Sequence, residues 1–368
     1  MRRLLLPLFL AAACVAGAAQ VRAADAVAAG GEAAAGGMRR PAAETLRVAL
    51  DDGRERPAAQ QASSANRAGA AATRSATIAG SKSIAVLYPD IGEPYRSVFA
   101  RIIEGIEERA KSPITSYAVG GSFNAQELAG ELRRNEIQVV IALGRNGLKA
   151  AGSLDKGVGV VVGGIISASE ADVRGSAVLS LAPDPGLLFT RLKSIAPRIQ
   201  RVYVVYNPHQ NGWLARLAHE AAHSHGIELV AQEAGDLKTA LGLYQKILAG
   251  SDPRRDALWL PQDGATVDDS TVLPLVLQES WTRSLVVFSS NVSHVRRGAL
   301  FALYPDNVGL GRSLAEAALG VIAGEPAGRA PQPLREVLTA FNTRTASHLG
   351  LNLSPVQLRT FDLLFPEQ

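Results

Sequence analysis

The sequence predicts an α/β protein built from two similar lobes. From Ser83 onward, short runs rich in valine and isoleucine alternate with longer stretches of helical periodicity, which is the pattern of parallel sheets covered by helices on both faces. The unit of strand, helix and strand starts afresh at RVYVVYNP, residues 201–208. This restart favours two Rossmann-like lobes with parallel sheets over one long sheet.

Nine segments have the composition and length of buried strands. They are SIAVLYP (83–89), ITSYAV (114–119), VVIALG (139–144), GVVVGG (159–164), RVYVVYN (201–207), ELVAQE (228–233), DALWLPQ (256–262), SLVVFSS (284–290) and ALFALYP (299–305). Five segments between them have helical periodicity. They are PYRSVFARIIEGIEERAK (94–111), NAQELAGELRRN (124–135), DPGLLFTRLKSIAP (184–197), GWLARLAHEAAHSHG (212–226) and KTALGLYQKILAG (238–250).

The first 23 residues have the features of an export signal. Two arginines precede an apolar run, and a small residue stands on each side of Arg22, as signal cleavage near Ala23 requires. The apolar run is too short for a membrane span and is interrupted by Pro7. Cys14, the only cysteine, follows small residues in LAAAC and offers an alternative, a lipid anchor that tethers the protein to the membrane.

Residues 24–80 are predicted to form a disordered linker. They are rich in alanine, glycine, serine and arginine, and such a stretch buries too little apolar surface to offset its chain entropy. Residues 1–80 also carry ten arginines against six acidic residues, so the formal charge of +4 arises there. The remaining residues balance at 28 basic and 28 acidic, which argues against nucleic acid as a partner.

One segment matches the zinc-binding pattern of metalloproteases. In LAHEAAHSHG (217–226), His219 and His223 lie one helical turn apart with Glu220 between them. The apolar residues Leu214 and Ala218 define the buried stripe of the same helix, and a rotation of about 100° per residue places both histidines on the far side. A solvated polar face is therefore the preferred interpretation, and no metal or other cofactor is predicted.

Small polar residues and glycines follow most of the predicted strands. In parallel sheets, ligands bind beyond the carboxyl ends of the strands, so these residues are the candidates for a site. Any single tip is as well explained by turn formation, but the set converges on one edge. The tips are 89–92, 144–147, 163–165, 207–208, 262–264, 289–291 and 304–306.

The second half of the chain resembles the substrate-binding proteins of ABC transporters, in the family that includes tryptophan and tyrosine binders. The resemblance covers about residues 83–355 and rests on Tyr-Asn-Pro at 206–208, Asp263, Gly-Ala at 298–299, a helix from Gly309 to Gly324, and the pattern from Asn342 to Gly350. It implies the type I periplasmic-binding-protein fold with a hinge. The implied lobes are 82–181 plus 291–328 and 182–290 plus 329–366.

The resemblance further implies a periplasmic solute-binding protein that captures a small ligand and delivers it to an ABC permease. Two alternatives remain. The same fold can report the ligand to a membrane sensor or another partner without transport, which the long linker and altered tips favour. An enzyme is the second alternative, although His209, His294 and His348 stand alone in the sequence and no catalytic set can be assigned.

The predicted ligand-binding residues lie at these tips. They are Asp90, Tyr95, Arg145, Asn146, Asp263, Ser289, Ser290, Asn291 and Tyr304. Arg145 departs from the small residues that the family has there, so ligand identity does not transfer. Arg145 and Asp263 together suit an amino-acid-like ligand, because a guanidinium pairs with a carboxylate and an aspartate accepts from an ammonium. A salt bridge or a turn cap is the structural alternative for both residues.

Overall fold

A computed structural model describes residues 83–112, 114–167, 173, 175–326 and 330–367. The predicted signal of residues 1–23, with the candidate anchor Cys14, and the predicted linker of residues 24–80 lie outside the described residues. Among the described helices, none has the length and apolar character to cross a bilayer.

Six strands form the first sheet. They are β1 (Ile84–Pro89), β2 (Thr115–Val119), β3 (Val139–Leu143), β4 (Gly159–Ile165), β5 (Ala177–Pro183) and β11 (Gln332–Leu334). Their order is β11-β5-β4-β3-β1-β2, and all neighbours pair in parallel. The helices of this lobe are α1 (Tyr95–Ala110), α2 (Ala125–Arg134), α3 (Gly144–Ala151) and α9 (Asn307–Ile322).

Seven strands form the second sheet. They are β6 (Arg201–Tyr206), β7 (Glu228–Glu233), β8 (Asp256–Leu260), β9 (Val286–Ser289), β10 (Phe301–Pro305), β12 (Val337–Asn342) and β13 (Leu363–Phe365). The order is β13-β12-β10-β9-β8-β6-β7, parallel throughout except for the antiparallel pair of β10 and β12. The predicted α/β class with two mainly parallel sheets is therefore confirmed.

The second lobe has the remaining described helices. They are α4 (Pro185–Ile195), α5 (Pro208–Ser224), α6 (Leu237–Gly250), α7 (Val272–Arg283), α8 (Val292–Arg297), α10 (Thr343–His348) and α11 (Pro355–Leu358). Its core includes Trp259, Phe288 and Phe301, whose rings stack in sequence across β8, β9 and β10. This row of rings fixes the three strands to one another on one face of the sheet.

Helix α9 belongs to the first lobe although the strand before it belongs to the second. Gly311 lies against the backbone of Ile102 in α1, and Gly105 of α1 lies against the backbone of Val308. A side chain at either glycine would collide with that backbone, so the glycines allow the two helices to pack closely. Leu310 and Leu314 of α9 then enter the core of the first sheet.

Within the described residues, the chain passes between the two sheets three times, at residues 183–185, 305–307 and 334–337. Three crossings agree with the resemblance, but two of the sheet assignments differ from the predicted lobe segments. Strand β10, in the segment 291–328 predicted for the first lobe, pairs with β9 and β12 in the second sheet. Strand β11, in the segment 329–366 predicted for the second lobe, pairs with β5 in the first.

Candidate functional site

All three crossings lie at the carboxyl ends of the parallel strands. The first two leave from the ends of β5 and β10. The third crossing leaves from Leu334 at the end of β11, which pairs with Pro183 at the end of β5. It reaches β12 at Val337, which pairs with Pro305 at the end of β10. The carboxyl edges of the two sheets therefore adjoin one another at the crossings. Residues that follow the strands of both sheets are brought to this shared edge, as the sequence predicts for a site.

The first lobe places Asp90 and Arg145 at adjacent strand ends, because β1 and β3 are neighbours. Both side chains are exposed. Tyr95 is half-buried and is the first residue of α1. Asn146 is half-buried, and its Nδ2 donates to the carbonyl oxygen of Val119 at 3.4 Å.

Helix α3 begins immediately after β3, at the position that the sequence indicates only as a loop. Gly144 has a φ of 67°, a conformation that glycine adopts at little cost, and it turns the chain directly from strand into helix. No side chain caps the first turn of α3, and Arg145 lies in that turn. The amino-terminal end of the helix dipole and the Arg145 guanidinium therefore both lie at this strand end, beside Asp90 at the adjacent one.

Asp263, predicted to accept from a ligand ammonium, has a different setting. Its side chain is 4% exposed. Oδ2 accepts from the backbone N–H of Asn207 at 2.6 Å and from Nδ2 of Asn211 at 2.9 Å, and Oδ1 accepts from the backbone N–H of Ala265 at 3.0 Å. This geometry fits the alternative of a structural turn cap and does not fit an open carboxylate in a cleft.

The network around Asp263 fixes the start of α5 to the end of β8. Asn207 caps α5 by accepting from the backbone N–H of His209, while Asn211 contacts Asp263 from within the first turn. Sequence reasoning missed Asn211, although its place one turn after the Asn-Pro cap was a usable signal. Tyr244 of α6 is buried near this network. Its burial raises the pKa of its hydroxyl, and the charge of Asp263 adds a smaller contribution in the same direction.

Ser289 and Ser290 are buried at the end of β9. The hydroxyl of Ser289 is within hydrogen-bond distance of the Leu260 carbonyl oxygen at 3.1 Å and of His294 Nδ1 at 2.8 Å. Ser290 Oγ accepts from Trp259 Nε1 at 3.1 Å. Asn291 is half-buried and caps α8 by accepting from the backbone N–H of Ser293. Of the three predicted residues, only Asn291 keeps partial exposure at the edge.

The sequence suggested that His294 stands alone, and the structure corrects this. Besides its contact with Ser289, its Nε2 lies 3.2 Å from Asp269 Oδ1. The hydrogen bond to His294 lowers the pKa of the Asp269 carboxyl below its ordinary value. Ser289, His294 and Asp269 therefore form a line that resembles a catalytic triad in composition. The serine is 0% exposed, and its oxygen also accepts from the N–H of Asn291, so the line has no open nucleophile, although the Asp269 side chain is 64% exposed.

Tyr304 is half-buried in β10, one residue before Pro305, as predicted for a residue near a crossing. It packs against the core beneath β8 and β9. Asp306 follows it and caps α9 by accepting from the backbone N–H of Val308 at 3.1 Å.

The histidines of the metalloprotease-like segment lie on the outer face of α5. His219, Glu220 and His223 are exposed, whereas Leu214, Ala218 and Ala222 of the same helix are buried. The predicted orientation of this helix is therefore confirmed. Within the ranges that the structure describes, no cluster of three or more histidine, cysteine or acidic side chains is arranged to hold a metal ion.

Solved structures resemble this chain, but no protein-family model and no curated protein matches it. A substrate-binding protein with adhesive properties from Clostridium difficile, in its ligand-free, open form, is 16% identical with a TM-score of 0.54, over 77% of this chain and 99% of that one. The ABC domain from Streptococcus pneumonia in complex with L-Trp is 14% identical with a TM-score of 0.47, over 77% and 100% of the two chains. A solute-binding protein of an ABC transporter from Agrobacterium vitis, bound with alpha-D-tagatopyranose, is 15% identical with a TM-score of 0.41, over 76% and 98%.

Proposed function

Because this chain has the type I periplasmic-binding-protein fold, we propose that it is a solute-binding protein that holds a small ligand between its lobes. The observation that carries the proposal is the position of the crossings. All three lie where the carboxyl ends of both sheets adjoin, so strand ends of both lobes can contact one ligand. Ligands of open α/β sheets bind at this edge.

The mechanism follows from the two-lobe arrangement. The lobes are connected by three short segments and can change orientation about them. A ligand that contacts strand ends of both lobes binds the closed orientation better than the open one, and it shifts the equilibrium by that difference in affinity. The protein needs no covalent chemistry for this function.

The first lobe favours a ligand with a carboxylate. Arg145 is exposed in the uncapped first turn of α3, where a guanidinium and the helix dipole both attract an anion. Asp263 is occupied by Asn207, Asn211 and Ala265, so Asp90 at the adjacent strand end is the carboxylate that suits a ligand ammonium. An amino-acid-like ligand satisfies both groups.

Export and delivery are further parts of the proposal. The features of residues 1–23 support secretion into the periplasm, with a lipid anchor at Cys14 as the alternative. The proposed partner is an ABC permease that accepts the closed form. Affinity purification from a membrane extract separates this partner from a membrane sensor, since the first gives a permease and the second a signalling protein.

The ligand is tested by thermal denaturation of the full chain against a panel of amino acids, other carboxylates and neutral sugars. A ligand that binds only the folded state raises the melting temperature. We expect a carboxylate-bearing compound to raise it, and Arg145→Ala to abolish the increase. Arg133→Ala removes an exposed arginine of the same lobe away from the edge and serves as the control. An increase that Arg145→Ala leaves unchanged would refute the assigned site.

A further inference from the structure

The three crossing segments are joined to one another by backbone hydrogen bonds. The N–H of Asp184, in the first crossing, donates to the carbonyl oxygen of Leu334 at 2.9 Å. The N–H of Asp306, in the second, donates to the carbonyl oxygen of Glu336 at 3.0 Å. The third crossing therefore lies between the other two and is bonded to both.

One ion pair is added to this backbone arrangement. Arg335 Nε lies 3.1 Å from Asp184 Oδ2, while Asp184 Oδ1 accepts from the N–H of Gly186 at 2.8 Å. Asp184 is the N-cap of α4, so its carboxylate is fixed to the second lobe. Arg335 directly follows β11, whose strand belongs to the first sheet. The pair thus connects Asp184, which is fixed to the second lobe, to Arg335 at the end of a strand of the first lobe.

The exposure of the two partners determines how much the ion pair can contribute to stability. The Arg335 side chain is 77% exposed and the Asp184 side chain is 18% exposed. An exposed pair adds little to the stability of a fold and is weakened by salt. A small energy is nevertheless sufficient to change the ratio of two lobe orientations that differ by little in free energy.

We propose that the ion pair of Arg335 and Asp184 is a hinge ion pair that stabilises the lobe orientation seen in this structure. The ion pair would regulate ligand binding at the site described above. This inference rests on the proposed function, because it requires that the lobes move to bind a ligand. The strength of the pair depends on ionic strength, so the ligand-free equilibrium is sensitive to salt. Breaking the pair frees the lobes without altering Asp90, Arg145 or Asn146 of the proposed site.

The test measures lobe orientation without a ligand. The full chain has a single cysteine, Cys14, so Cys14→Ser permits labelling at two introduced sites. Gln126→Cys on α2 and Gln245→Cys on α6 are exposed positions on different lobes. Spin labels at these sites report the distribution of distances between the lobes by pulsed electron spin resonance.

We expect Arg335→Gln to change the ratio of the orientations about two- to fivefold, the range of an exposed ion pair. Salt at about 0.5 M should change the wild-type distribution in the same direction and leave Arg335→Gln nearly unaffected. Asp184→Asn keeps an oxygen to cap α4 and should reproduce the effect of Arg335→Gln. Arg335→Lys retains the charge and should restore part of the wild-type distribution.

The matched control is Arg133→Gln. Arg133 and Asp155 form a pair of 3.0 Å, each 66% exposed, within the first lobe. Its loss should leave the distance distribution unchanged. Identical distributions for wild type, Arg335→Gln and Asp184→Asn would overturn the hinge ion pair. Because no ligand is present, that result is independent of whether a ligand binds, which the thermal experiment decides separately.

Discussion

Asp263 and Asn211 are joined by a hydrogen bond of 2.9 Å from Nδ2 to Oδ2 in the interior of the second lobe. The bond connects the loop after β8 to the first turn of α5. Its neighbours are two backbone N–H groups, from Asn207 and Ala265, that donate to the same carboxylate. The relationship makes Asp263 a structural support, which is the turn-cap alternative that the sequence analysis gave beside a ligand contact.

We therefore expect Asp263→Ala to destabilise the protein. The substitution leaves two buried donors, from Asn207 and Asn211, and one part-buried donor, from Ala265, without an acceptor. Such a loss costs about 2–4 kcal/mol in the free energy of unfolding. Urea denaturation followed by circular dichroism measures it. Asp155→Ala, at an exposed acid of the other lobe, should cost less than about 1 kcal/mol. Equal small effects of the two substitutions would show that Asp263 stands open to solvent.

Ser289 is expected to be unreactive. Its hydroxyl is buried and is in contact with Leu260, Asn291 and His294, so an electrophile cannot reach the oxygen. Intact mass spectrometry after incubation with a fluorophosphonate should show no adduct on the folded protein. An adduct at Ser289 that is absent from Ser289→Ala would instead support the enzyme alternative.

The carboxylate of Asp269 should stabilise the fold in a pH-dependent way. The hydrogen bond to His294 lowers its pKa in the folded state, so its contribution is present above the unfolded pKa of about 3.9. The contribution is lost as pH falls through the folded pKa. The difference in unfolding free energy between wild type and Asp269→Asn should shrink between pH 7 and pH 3, each measured in urea.

The same series in a His294→Ala background is the control for that pH dependence. Without the imidazole, the largest cause of the lowered pKa is absent, so the difference should vary less with pH. A difference that remains constant in the wild-type background would contradict the role given to His294.

The exposed histidines of α5 should not bind a structural metal. His219 and His223 face solvent, and the structure describes no third ligand beside them. Replacing both by alanine should change the free energy of unfolding by less than about 0.5 kcal/mol. Elemental analysis of the purified wild type should give less than stoichiometric zinc. Stoichiometric zinc that is lost in the double variant would reverse the interpretation.

The sequence was sufficient to predict most of the parallel strands, because the central ones, such as β1, β3 and β8, are largely buried on both faces and appear as short continuous apolar runs. All nine predicted strands are present. The four missed strands are β5, β11, β12 and β13, and they include two of only three residues each. Helix α7 was also missed, since Pro274 lies in its pattern, but there it occupies the first turn, where proline is tolerated.

Site residues were harder to predict than strands because position at a strand end does not determine exposure. Arg145 and Asp263 both follow strands, yet one is exposed and the other is enclosed by side chains distant in sequence. The lobe to which a strand belongs was also hard to predict from the sequence. Strand β10 has the composition of either sheet, and only its pairing with β9 and β12 assigns it to the second.

Native mass spectrometry tests the central proposal, that one small ligand is held between the lobes, most directly. The full chain would be equilibrated with a low-molecular-weight cell extract, beside Arg145→Ala and the control Arg133→Ala. We predict one adduct of a carboxylate-bearing compound per chain, retained by Arg133→Ala, lost by Arg145→Ala and released when the protein unfolds. A wild-type chain that carries no adduct, or an adduct that Arg145→Ala retains in full, would contradict the account.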